Sequence, residues 1–190
     1  PVLFPNVGKY YGGYFTYNGK AYPMGQHGFA RDTEFEQMAA GEDFVTYRLC
    51  ADEESKKKYP FDFVLEITHR LENNRLSVEW NVKNVDNKEM YFTIGGHPAF
   101  NVNILPDTDF EDYSLVFKEG IETLSYILID AENGTALTDK TYKLELTNSK
   151  YALKKDMFDK DALIFDNGQI EWVGLVLPNG KPYIALESKN

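Results

Sequence analysis

Phe61-Asp62-Phe63-Val64-Leu65-Glu66-Ile67-Thr68-His69 is written with a period of two. Phe61, Phe63, Leu65, Ile67 and His69 fall on one face, and Asp62, Glu66 and Thr68 on the other, interrupted by Val64. Successive side chains of a strand point to opposite faces, so the pattern predicts a strand with one face on a core. Glu72-Asn73-Asn74-Arg75 follows, and asparagine tolerates the left-handed backbone that tight hairpins need. The return segment then sets Leu76, Val78, Trp80 and Val82 against Ser77, Glu79, Asn81 and Lys83. The two segments predict an antiparallel hairpin.

Outward from this hairpin the same grammar recurs. A second hairpin is predicted at 15–22, with Asn18-Gly19 as its two-residue turn. Further strands are predicted at Phe44–Cys50, Met90–Ile94, Tyr113–Phe117, Thr141–Leu146, Ala162–Phe165, Trp172–Leu177 and Tyr183–Leu186. Short strands separated by Gly, Asn, Asp and Pro indicate an all-β sandwich or barrel. The only helical prospect is Asp52–Lys58, where mixed charges read as a solvated loop or short helix. There is no internal repeat or linker, so residues 1–190 are expected to form a single β-sandwich domain.

The 190 residues carry 30 acidic and 20 basic side chains, a net charge of −10. An acid excess disfavours nucleic acid and anionic membranes, whose phosphates need clustered Lys and Arg. With 43% hydrophobic and 15% aromatic residues, there is ample material for a core. One cysteine cannot build a disulfide framework, and the expectation is a cytoplasmic protein. No stretch reads as a secretory leader or approaches the roughly 20 apolar residues of a membrane span. The chain opens on the strand-like Val2-Leu3-Phe4 and ends soon after another strand. It is expected to be cut from something longer at both ends.

Two of the three histidines stand where alternation stops: His27 in Gln26-His27-Gly28-Phe29-Ala30-Arg31 and His97 in Gly95-Gly96-His97-Pro98-Ala99-Phe100-Asn101. Glycine beside a functional side chain permits a sharp turn or a close approach. Gly95-Gly96, after the predicted strand Met90–Ile94, would end pairing and push His97 out of the sheet. Histidine suits proton transfer near neutral pH. A lone histidine at a strand end is more often satisfied by a backbone group than catalytic; two in such settings, one with Arg31, shift that balance. His69 lacks such a setting and reads as structural. No compact His or Cys spacing for zinc occurs, and Cys50 reads as a small buried hydrophobe. Nucleotide-binding and serine-hydrolase motifs are absent. Asp161 precedes an apolar segment, where a carboxylate can bind a hydroxyl or simply serve a turn. Aromatic faces suit sugar C–H surfaces, and they also fill cores.

In combination, Pro1-Val2-Leu3-Phe4-Pro5, Gln26–Arg31, Tyr59-Pro60-Phe61, Ile94–Asn101 and Asp161–Phe165 resemble the aldose 1-epimerase (galactose mutarotase) family, in its branch with a His-Gly-Phe-Ala-Arg motif. The resemblance implies a large antiparallel β-sandwich of the galactose mutarotase-like supersandwich kind, here incomplete. It implies interconversion of the α and β anomers of a free hexose such as galactose or glucose. A glutamate takes the anomeric hydroxyl proton while a histidine protonates the ring oxygen; the ring opens, C1 rotates and closure gives the other anomer. No cofactor or metal is implied, and the partner is a small-molecule sugar. The residues carry no signature of an oligomeric state.

Carried over by position, His97 resembles the family's general acid, and His27 the second histidine that orients or polarises the ring oxygen. Asp161 resembles the aspartate that binds sugar hydroxyls, while Arg31 and Asn101, closing their motifs, join it as substrate-binding residues. Lys9 stands where the family usually has a substrate-binding arginine; lysine keeps the charge and loses the planar fork. The family's catalytic glutamate lies in a Glu-Pro-Trp-like stretch after the point matching Glu187-Ser188-Lys189-Asn190, and Glu187 itself reads as an ordinary strand residue. These 190 residues are therefore expected to have little mutarotase activity alone. The competing readings are a non-catalytic sugar-binding module on the same fold and a hexose-6-phosphate 1-epimerase. The latter wants several cations converging on a phosphate, where this chain offers Arg31 and Lys9 near the motifs.

Overall fold

The alternating segment at Phe61 forms the centre of a four-stranded antiparallel sheet in a computed structural model that describes residues 1–188. Lys189 and Asn190, at which the family comparison placed the approach to the glutamate-bearing strand, lie outside the described residues. The chain divides into two compact units, one over Pro1–Pro98 and one from Ala99 onward. Each is described by itself.

The first unit contains β1 (Val2–Leu3), β2 (Tyr14–Tyr17), β3 (Lys20–Pro23), β4 (Glu36–Ala40), β5 (Phe44–Cys50), a short helix α1 (Glu53–Lys58), β6 (Phe63–Glu72), β7 (Arg75–Asn84) and β8 (Gly95–Gly96). The hairpin β6–β7 runs in unbroken register from Phe63↔Asn84 to Glu72↔Arg75. The sheet order is β4-β5-β6-β7. As the alternation requires, Phe61, Phe63, Leu65 and Ile67 are buried, Leu65 completely. They pack with Phe4, Met24, Ala30, Leu49 and Tyr59 into one cluster, each large side chain contributing roughly 1.5–3 kcal/mol of burial. The predicted 15–22 hairpin is β2–β3, turning at Asn18-Gly19, both at positive φ.

The outer half of β7 departs from the expected burial. Val82 packs on the core, whereas Leu76, Val78 and Trp80 are 63%, 42% and 37% exposed. Leu76 pairs with the likewise exposed Leu71 at the turn end of the hairpin, which runs past the cluster built around Phe63–Ile67. The charged run at 52–58 is the helix α1, held by a reciprocal cap in which Asp52 accepts from the Ser55 N–H and Ser55 Oγ from the Asp52 N–H. Its acids occupy the first turn and its lysines the last, matching the helix dipole.

Three local expectations are corrected. Met90–Ile94 is not a ladder strand: Thr93 bonds instead to the irregular segment 5–7, its N–H donating to Pro5 O (3.0 Å) and its Oγ1 accepting from Val7 N–H (2.8 Å). The paired residues are Gly95 and Gly96 themselves, which form β8 opposite Leu3 and Val2. Ala162–Phe165 makes only a single bridge, Ile127↔Ile164. Cys50 is exposed, because the alternation along β5 turns Leu49 to the core and the residue after it away. The strand β4 escaped notice because all five residues are exposed and a bulge at Gln37/Ala39 breaks its period.

The second unit holds β9 (Ser114–Val116), β10 (Thr123–Ile129), β11 (Ala136–Glu145), β12 (Lys150–Ala152), β13 (Trp172–Val176) and β14 (Pro182–Glu187). They form an antiparallel sheet in the order β12-β9-β13-β14 and a β10–β11 hairpin. Tyr113, Leu153 and Leu175 centre one apolar cluster, and Phe117, Leu124 and Leu144 another. No helix among the described residues is long and apolar enough to cross a membrane.

One contact fixes where the first motif lies in the first unit. Phe4 and Gly28 form a parallel bridge, and Phe4 O accepts from both Phe29 N–H (3.0 Å) and Ala30 N–H (3.1 Å). A Cβ on Gly28 would stand 2.1 Å from Phe4 O, and its φ is +73°, so only glycine fits. Gly28→Ala is expected to lower the unfolding free energy by more than about 2 kcal/mol in urea titration. Leu65→Ala is expected to cost about 2–5 kcal/mol in the same measurement, as a cavity in a closed cluster.

Candidate functional site

The close approach of Phe4 to Gly28 settles the conformation of the residue before it. His27 adopts φ +67°, uncommon for a side chain bearing a Cβ and held here from both sides. Its N–H donates to Gly8 O (2.8 Å), and its Nδ1 accepts from Gly8 N–H (3.0 Å). Gly8, itself at φ +84°, thus bonds to the histidine through both its polar groups. An N–H donor on Nδ1 requires that nitrogen to carry a lone pair, so the neutral ring bears its proton on Nε2.

His97 arrives from the opposite side of the sequence. It follows β8 directly, and its N–H donates to Pro1 O (3.0 Å), extending the β1–β8 pairing by one bond. The two imidazoles lie with ring centroids 5.6 Å apart and planes inclined at 41°. His27 is half-buried and His97 exposed. Two glycines make room for this approach. A Cβ on Gly95 would meet Val7 at 3.1 Å, and one on Gly96 would meet the Trp80 indole at 3.2 Å.

Partial burial holds the pKa of His27 below the ordinary imidazole value, and the neighbouring Arg31 and His97 act in the same direction. Arg31 lies in the 3-10 turn Ala30–Asp32, which follows the bonds to Phe4 O. Its Nε is 3.5 Å from the Asp32 carboxylate and its side chain remains 36% exposed. The arrangement offers a fixed N–H donor on His27 beside a second, solvent-accessible imidazole. It is equipped to bind and protonate a neutral oxygen. Among the described residues, no cluster of three His, Cys, Asp or Glu side chains could hold a metal ion.

Lys9 follows Gly8 and is exposed. Asp161 and Asn101 belong to the second unit, and both are exposed. Asp161 has φ +70°; its carboxylate accepts from Ala162 N–H (2.7 Å) and its own N–H donates to Phe158 O (3.0 Å). Of the four predicted residues of the first unit, Lys9, His27 and Arg31 therefore fall on two loops tied together at Gly8 and His27, and His97 on a third segment after β8. A separate groove of about 310 Å³ in that unit is lined by Pro5, Tyr10, Phe15, Met24, Tyr59 and Phe61, without either histidine. Sequence reasoning missed Gly8 and Thr93, which hold the histidine loops from a distance. The local signal was the glycine directly before Lys9.

Comparison with known proteins extends this local picture to the whole chain. The family described as Aldose 1-epimerase matches residues 2–174. Protein LacX of Lactococcus lactis subsp. lactis, plasmid form, is 32% identical over 173 residues, covering 87% of this chain and 57% of that protein. The solved structure of a galactose mutarotase related enzyme from Lactobacillus acidophilus is similar at TM-score 0.87 and 34% identity, covering 95% of this chain and 59% of that one. A galactose mutarotase-like protein from Lactobacillus casei is similar at TM-score 0.79 and 33% identity, covering 95% and 61%. The chain spans more than half, and less than two thirds, of the length of each of these proteins. Its antiparallel all-β architecture is that of the galactose mutarotase-like fold. With a match running from its second residue into β13, the chain belongs to the aldose 1-epimerase family.

Proposed function

We propose that this chain forms part of an aldose 1-epimerase that interconverts the α and β anomers of a free hexose. The observation that carries this reading is the pairing of two imidazoles at 5.6 Å, one of them locked as an Nε2–H donor by Gly8. In the forward step a base removes the anomeric hydroxyl proton while His97 delivers a proton to the ring oxygen. The C1–O5 bond breaks, C1 becomes an aldehyde and C5 carries a hydroxyl. Rotation about C1–C2 and the reverse proton transfers close the other face. His27 donates Nε2–H to the same oxygen and orients it. Arg31 and Lys9 of the first unit contact hydroxyls.

Such chemistry needs a paired acid and base across a neutral ring. The base of this proposal is the glutamate of a Glu-Pro-Trp-like stretch, a tripeptide that does not occur in these 190 residues. The test is polarimetry on freshly dissolved α-galactose and α-glucose, using a polypeptide that includes such a stretch. Acceleration of anomer exchange is expected, and His97→Ala should lower kcat by roughly 10²–10⁴. Saturable sugar binding without acceleration would mark a binding module instead. An unchanged rate in His97→Ala would remove its acid role.

Lys9→Arg is expected to lower KM by several-fold with little change in kcat, because a planar fork can engage two hydroxyls where an ammonium offers a point charge. The lowered pKa of His27 has its own signature in stability. Unfolded His27 titrates near its ordinary value of 6.5 and the folded residue below it, so between the two the unfolded state binds more protons. Stability therefore falls as pH drops through that window and is unaffected by His27 above it. Urea titrations at about pH 7.5 and about pH 5 should show a smaller loss in His27→Gln than in the parent protein.

A further inference from the structure

The loop that holds His27 contains a side chain with no role so far. Asn6 is 3% exposed, and its Nδ2 donates to Gly8 O at 3.0 Å. That carbonyl also accepts from His27 N–H, while Gly8 N–H donates to His27 Nδ1. The orientation of the amide is fixed by its partner, since a carbonyl oxygen can only accept. We propose that Asn6 is a positioning residue for His27, holding the Gly8 carbonyl so that the Gly8 amide stays on Nδ1 and the ring proton stays on Nε2.

The energetics argue against a purely stabilising part. Asn6 Oδ1 is buried without a hydrogen-bond partner among the described residues, which costs roughly 1–3 kcal/mol. An apolar side chain of the same size would avoid that cost. What asparagine alone supplies is a donor aimed at Gly8. Gly8 needs one: at φ +84°, and with nothing within 4 Å of the place a Cβ would occupy, it has no side chain to restrict how its peptides turn. The N-terminal side of the loop is tied elsewhere, through Val7 N–H to Thr93 Oγ1. Without Asn6, the Gly8 carbonyl is held by His27 N–H alone, and rotation about the Gly8 backbone can turn the Val7–Gly8 amide off Nδ1. The ring is then free to move its proton to Nδ1, where it offers a lone pair instead of a donor at Nε2.

The catalytic consequence rests on the mutarotase reading; the tautomer does not. The intact polypeptide is labelled with ¹⁵N-histidine and studied by long-range ¹H–¹⁵N spectroscopy at about pH 8, above the ordinary imidazole range. The parent protein is expected to show His27 with an unprotonated Nδ1 and a protonated Nε2. Asn6→Leu should fold with a Tm at or above the parent's, and Asn6→Ala should also fold. In both, His27 should show mixed tautomers, with kcat down about tenfold and KM moved far less. A parent His27 protonated on Nδ1 overturns the proposal, as does a variant that keeps the parent tautomer and kcat. Failure of Asn6→Leu to fold overturns it as well, since it would make Asn6 a stability element. A parent protein with the expected tautomer and no mutarotation sinks the function and upholds the role of Asn6 in setting the tautomer.

Discussion

The Phe4 carbonyl, lying where a Cβ of Gly28 would otherwise be, is the constraint on which the first unit depends. It accepts two backbone donors from the turn that carries Arg31, while its own phenyl ring is fully buried among the side chains of β6. Core and site are therefore locked by one residue: the ring by hydrophobic burial, the carbonyl by hydrogen bonds that have no water to replace them. The β1–β8 pairing that precedes it brings His97 in on the other strand. Removing the approach at Gly28 would release the first histidine loop from the core and leave the second without its neighbour.

The imidazole pair then inherits its chemistry from backbone groups more than from charged side chains. Gly8 fixes the His27 tautomer, and partial burial together with Arg31 and His97 shifts that ring toward its neutral form. A neutral donor beside an accessible histidine suits an uncharged oxygen better than a phosphate. A net charge of −10 adds no long-range attraction for an anion.

How much of this could be read in advance varies with the range of the interaction. The hairpin β6–β7 was legible because alternation and the Asn-Asn turn are local, and the register Phe63↔Asn84 follows from them. The 90–94 segment misled for the same reason: its apolar residues alternate like a strand, yet Thr93 is claimed by Pro5 and Val7, nearly ninety positions away. Cys50 was misassigned to the interior because an apolar strand end says nothing about which face its last residue takes. The histidine motifs stood out through their glycines. Asn6, Gly8 and Thr93 did not, because their roles consist of bonds to partners that no local pattern names.

By itself, the sequence determined the all-β class, the principal hairpins and the two histidine motifs, since each is set by side-chain period, turn chemistry or a local cluster of residue types. Only the tertiary structure decided that the histidines of residues 27 and 97 meet, which nitrogen of His27 bears the proton, and which apolar rows find a core. Those are outcomes of backbone groups satisfying one another across long sequence separations, and a hydrogen-bond partner far along the chain leaves no mark on the residues that flank its mate.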